Sequence, residues 1–238
     1  IICFTLSAIM EIFIHIPHQK TPREVGVIAV AKNDLKDSYT FLKREKPIFI
    51  SVIFLVCIFN LVLSAVLIVG LPILISEVLK MPDTLYGFSQ SALSLGGLCG
   101  GILTALVASK LKLKNLYILL LICSVSVLLM GISLFLELPA IVSYWVVTVM
   151  CFVAMGVSTM FVVQIYTLVQ IQTPPQLVGK IMATLVAVAM CGQPIGQMVY
   201  GILFDVFIQE TWVVMIVASI ASIMISIYSK RIFQKLEI

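Results

Sequence analysis

Apolar residues come along this chain in runs of about 20, separated by short polar clusters, without the period-two alternation of a barrel strand. Each run is long enough to cross ~30 Å of hydrocarbon at 1.5 Å per residue. The pattern predicts membrane-crossing helices at roughly 1–16, 48–75, 85–108, 116–136, 141–168, 181–204 and 211–229. The fold class is therefore an all-α polytopic membrane protein. A polar loop at 17–47 divides the first, short span from a bundle at 48–229, and a tail follows at 230–238. Within the loop, KNDLKDSYTFLKREKP alternates charge with Leu35, Tyr39 and Leu42 at helical spacing, which predicts an amphipathic helix at the headgroups.

Two spans depart from plain Leu, Ile and Val. Between 85 and 108, Ala92, Gly96, Gly100, Thr104 and Ala108 recur every four residues. Such a stripe lets two helix backbones approach closely, either as static packing or as a gliding contact between moving halves. The second is CGQPIGQMVYG at 191–201. At 100° per residue, Gly192, Gly196, Tyr200, Gln193, Gln197 and Gly201 share one half of the wheel; Cys191, Pro194, Ile195, Met198 and Val199 share the other. Pro194 donates no backbone bond and crowds the Met190 carbonyl, so a kink is expected there. The spans 116–136 and 211–229 carry only scattered Ser and read as lipid-facing; Tyr117, Tyr144 and Trp212 near span ends read as interfacial anchors.

Composition agrees: 61% of the 238 residues are hydrophobic and 11% charged, with a mean hydropathy of +1.18. A net charge of +4 could suggest a nucleic-acid partner, but the placement of the charges excludes that reading and gives topology instead. Every Lys and Arg except Lys80 lies in the 17–47 loop, in the connections holding Lys110, Lys112, Lys114 and Lys180, or in the tail. The other side carries Glu77, Asp83, Glu137, Asp205 and Glu210. The positive-inside rule then puts the long loop and the C-terminus in the cytoplasm. All six cysteines sit in apolar runs without a CxxC pair or a nearby His, and read as small buried hydrophobes rather than metal ligands. The short first span suggests the C-terminal portion of a longer protein.

No Asp, Glu, Lys, Arg or His occupies the centre of a complete span. An intramembrane hydrolase needs an activated nucleophile, a carboxylate pair or a zinc site, so no enzyme, cofactor or metal is expected. Glu11, in the first span, lies close enough to Pro17 to snorkel to cytoplasmic water; a proton-handling role is the alternative. The remaining polar groups are uncharged. Asn60 and Ser64 share a face of the second span, Gln164 lies in the fifth, and Gln193 and Gln197 lie in the sixth. Hydrocarbon satisfies none of them, so each should hydrogen-bond to another helix or line a wet cavity; as a group they are candidates for a substrate cavity.

TPPQLVGKIMATLVAVAMCGQPIGQMVYGILFD resembles the tenth-to-eleventh-helix region of the major facilitator superfamily, in particular the macrolide-efflux and siderophore-exporter branch of its drug:proton antiporters. The matching positions are Pro174 or Pro175, Gly179, Lys180, Pro194, Ile195, Gly196 and Gly201. DLKDSYTFLKREKPIFISVIFLVCIFNLVLSAVLIVGLPILI is similar to that branch's central loop and seventh helix, with Asn60 and Pro72 at the family's Asn and Pro positions. The loop SKLKLKN, where a Gly-Asp-Arg-Gly gating motif would recur, lacks the Asp and the Gly.

The resemblance implies the end of helix six (1–16), a cytoplasmic central loop and the C-terminal six-helix bundle of a plasma-membrane transporter exporting amphipathic small molecules, with proton coupling. It implies that 48–75 and 141–168 line a central cavity. It also implies that 85–108 and 181–204 contact a missing N-terminal six-helix half, with Pro72, Gly96, Gly100, Pro194, Gly196 and Gly201 serving kinks and packing. The expected partners are the substrate, protons, the lipid bilayer and that half. Alternatives are a non-transporting scaffold or sensor and an uptake permease of the same fold.

Overall fold

A computed structural model describes residues 5–6, 9–10, 13, 27–107 and 113–235. The chain divides into two compact units, Ile1–Asp34 and Leu35–Ile238. In the first, Thr5, Leu6, Ile9 and Met10 are helical. Glu11, with most of the first span, lies outside the described residues, as does Cys3. Helix α1, Val27–Arg44, crosses the division. Its buried positions are Ser38, Phe41 and Leu42, whereas Leu35 and Tyr39 are exposed. The buried stripe therefore differs from the Leu35, Tyr39, Leu42 face of the sequence pattern, because Phe41 enters the core and the Tyr39 ring instead underlies the Lys43 ammonium at 5.7 Å.

The second unit contains six helices long and apolar enough to cross a membrane, and no strand occurs among the described residues. They are α2 (Pro47–Val78), α3 (Asp83–Val107), α4 (Leu116–Phe135), α5 (Ala140–Gln172), α6 (Val178–Val206) and α7 (Thr211–Lys235). Pro47 opens α2 at the first turn, where the missing N–H costs nothing. Short connections make successive helices antiparallel. At one end Lys46 Nζ donates to Gln172 Oε1 at 3.4 Å, and Lys230 stands 5.3 Å over the Tyr117 ring. The opposite end carries Lys80 and Glu137, both with left-handed φ (51° and 49°) in the turns that end α2 and α4.

No glycine among the described residues has a positive φ, so the glycines serve close approach rather than turning. On α3, a Cβ at Gly96 would strike the Phe152 carbonyl, and one at Gly100 would strike the carbonyl of Gly156, both on α5. On α6, Gly192 and Gly196 sit in the same way against the Cys57 and Leu61 carbonyls of α2. At Gly96 and Gly100 the stripe of 85–108 therefore packs on α5 inside the bundle; Ala108 lies outside the described residues. A Cβ added at Gly201 would meet nothing within 4 Å, so no close backbone approach requires a glycine there. Pro194 lies within an unbroken α6.

Helices α4 and α7 form one of the most extensive pairings. Ser124, Ser126, Ser133, Ser219, Ser222, Ser226 and Ser229 are all buried on them. Their serine-bearing faces are buried, while Ile118, Ile122 and Leu129 on α4 and Val217, Ile220, Met224 and Ile227 on α7 leave each helix an exposed apolar face as well. Each hydroxyl answers a backbone carbonyl, mostly in its own helix, and Ser226 Oγ reaches across to the Tyr117 carbonyl at 2.8 Å. That satisfies the polar atom where water is absent. Tyr144 is likewise no interfacial anchor: it is fully buried, and its hydroxyl donates to the Leu85 carbonyl at 3.0 Å. Cys123 and Cys151 are buried, but Cys191 is exposed on the outer face of α6.

Candidate functional site

Helix α2 is not one regular helix. At Asn60–Ser64 it opens into a π turn, with the Ala65 N–H bonding the Asn60 carbonyl five residues back, and a second π segment, Ile73–Val78, follows Pro72. Wide turns of this kind recur at functional sites because they re-aim side chains within a helix. Here the re-aimed pair is Asn60 and Ser64. Both line a cavity of about 470 Å³ whose walls are mainly α2 and α5, which meet at the Phe59–Phe161 ring contact, 5.4 Å between centroids.

The wall is mostly apolar: Phe59, Leu63, Leu67 and Ile68 from α2, Met155, Val162 and Val163 from α5, and Leu93 from α3. Five polar side chains enter it: Asn60, Ser64, Ser158, Thr159 and Gln193. Asn60 Nδ2 donates to the Val56 carbonyl at 3.1 Å, which leaves its Oδ1 as an acceptor for a guest. Thr159 Oγ1 bonds the Met155 carbonyl at 2.9 Å. Ser64, Ser158 and Gln193 have no hydrogen-bond partner among the described residues, and no fully enclosed polar atom is left unsatisfied. They are therefore donors and acceptors available to a guest. No group of three His, Cys, Asp or Glu side chains able to hold a metal occurs among the described residues.

Of the five residues expected at a cavity, three meet here. Gln193 arrives because Gly192 and Gly196, its neighbours on the wheel, seat α6 directly on the α2 backbone. Burial divides α6 as the wheel does: Gly192, Gly196 and Tyr200 are buried, Gln193, Gln197 and Gly201 are partly buried, and Cys191, Pro194, Ile195, Met198 and Val199 are exposed. Gln197 is one turn beyond the cavity and does not line it. Gln164 does not line it either; it shares the buried face of α5 with Phe161, Ile165 and Leu168. Ser158 and Thr159 were not singled out in the sequence, where two hydroxyls in a long apolar helix carry no distinguishing spacing.

A sequence model of the Major Facilitator Superfamily matches residues 1–197. The chain belongs to that superfamily. This facilitator is accordingly a multi-pass membrane protein of a transporter family, not of a family of enzymes. No curated protein and no solved structure gives a significant match to it.

Proposed function

We propose that this chain forms the C-terminal six-helix bundle of a secondary transporter that exports amphipathic small molecules by alternating access, with proton coupling and without enzymatic activity. The observation that carries the reading is the cavity between α2 and α5. Its volume of about 470 Å³ falls in the range of small-molecule sites, ~300–1,000 Å³. Its apolar wall with a few hydrogen-bonding side chains suits a guest that is mostly apolar and partly polar. Asn60, Ser64, Ser158, Thr159 and Gln193 would orient it. The exposed apolar faces of α3 (Leu95, Leu98, Ile102) and α6 (Met190, Ile195, Met198) support contact with a companion six-helix half. The basic end of the bundle, with Lys230, Arg231 and Lys235, supports a cytoplasmic C-terminus, and the membrane proposed is the plasma membrane.

Transport is read in everted vesicles from cells expressing the full coding sequence, with an amphipathic fluorescent probe and an imposed proton gradient. Asn60→Leu combined with Gln193→Leu should lower probe uptake into the vesicles about 10-fold, two hydrogen bonds at roughly 0.5–1.5 kcal/mol each. Gln164→Leu should leave it unchanged. Equal loss in both variants refutes the site assignment, probe movement in the opposite direction marks an uptake permease, and no flux of any amphipathic compound marks a scaffold.

A further inference from the structure

A second groove lies between α2 and α7, on the side of α2 away from the transport cavity. None of Ser51, Phe54, Leu55 and Ile58 lines the first cavity, and at 100° per residue they centre about 180° around α2 from Asn60, so the two spaces open on different faces of the helix. The groove has two connected parts. The apolar part, about 470 Å³, is lined by Phe54, Leu55, Ile58, Met224 and Ile225. The other, about 260 Å³, carries Arg231 and Lys235, and the two parts share Ser51, Tyr228 and Ile232.

Phe54, Met224 and Tyr228 are each more than 60% exposed, so the groove is open from the side. Neither cation has an acidic partner among the described residues. From Met224 to Lys235 the helix rises about 16 Å, close to one leaflet of a ~30 Å hydrocarbon core.

We propose that this groove binds a phospholipid with an anionic headgroup, its acyl chain lying along Phe54, Ile58 and Met224 and its phosphate held by Arg231 and Lys235. The occupant must be apolar over a leaflet's depth and negative at the end where the bundle's basic residues gather, and an anionic lipid of that leaflet has this shape and charge. Arg231 can present two parallel N–H donors to a phosphate, and Ser51 supplies a hydroxyl at the junction of chain and headgroup. The site shares no lining residue with the cavity between α2 and α5 and would tie the bundle to the composition of its membrane.

The test uses the full chain in vesicles, with Tyr228→Trp as the fluorescent reporter and Trp145→Phe and Trp212→Phe removing the native indoles. Brominated phosphatidylglycerol should quench the reporter at a mole fraction about 30-fold lower than brominated phosphatidylcholine, about fivefold for each cation. R231Q/K235Q should abolish that preference and R231K should keep it. Ser51→Phe, which blocks the junction without touching charge, should weaken quenching by the anionic lipid. Inorganic phosphate should not compete. Helicity by circular dichroism certifies that each variant is folded. Equal quenching by the two lipids, a preference that survives R231Q/K235Q, anionic-lipid quenching that Ser51→Phe leaves undiminished, or displacement by free phosphate overturns the proposal.

Discussion

Replacing Gly100 by Ala tests whether the α3–α5 seam is built on backbone contact. The added Cβ would sit 2.8 Å from both the Cα and the carbonyl carbon of Gly156. Carbon atoms in ordinary contact are ~3.5–4.0 Å apart, so the helices must separate by about 1 Å. That movement also stretches the Ser89 Oγ to Thr148 Oγ1 hydrogen bond, now 2.7 Å, beyond useful range. Overpacking costs ~1–3 kcal/mol and the lost interhelical bond ~0.6 kcal/mol, against a gain of about 1 kcal/mol in helix propensity. Gly101→Ala is the control, since nothing lies within 4 Å of its added methyl and only the propensity gain remains. The two variants should therefore differ by about 2–4 kcal/mol, with Gly100→Ala the less stable. Gly96→Ala/Gly100→Ala should cost less than the sum of the single changes, because one separation relieves both clashes. Unfolding of the detergent-solubilised protein by SDS, followed by far-ultraviolet circular dichroism, reads these differences. Equal midpoints for Gly100→Ala and Gly101→Ala, or strict additivity of the pair, would refute a seam held by carbonyl-to-glycine contact.

Two further outcomes follow from the same geometry. A double-mutant cycle on Ser89→Ala and Thr148→Val should give a coupling of about 0.6 kcal/mol and no more than about 1.7 kcal/mol, measured by the same unfolding titration. Lys80→Gly and Glu137→Gly should each raise stability by about 1 kcal/mol, seen as a higher thermal midpoint, because both side chains now occupy left-handed backbone that disfavours a Cβ.

The helical architecture was legible in the sequence because every span is a long apolar run closed by charge or proline. The face of α6 was legible too, since alternating Gly and Gln leave one side of the wheel small and polar. Helix α5 offers no such asymmetry. It is apolar around most of its circumference, so nothing in the order of its residues tells that Gln164 turns into the core while Ser158 and Thr159 reach the cavity. The serines of α4 and α7 were misleading for a related reason. A hydroxyl bonded to its own helix leaves no trace in hydrophobic periodicity, so two helices that share a buried seam read as lipid-facing. The stripe in α3 showed that some backbone would come close, but only packing identifies Phe152 and Gly156 as the partners.

The π turn at Asn60–Ser64 also bears on how this helix tolerates insertion and deletion. A π turn holds one residue more than an α turn of the same hydrogen-bonded pattern, so α2 keeps a surplus residue in the wall of the cavity. Loss of one residue there converts the segment to α-helix and leaves the flanking stretches facing as they did. The same loss in a regular stretch of the span would turn every later side chain by about 100°. A one-residue change in length is thus absorbed most easily beside Asn60, Leu63 and Ser64, where it also reshapes the cavity wall.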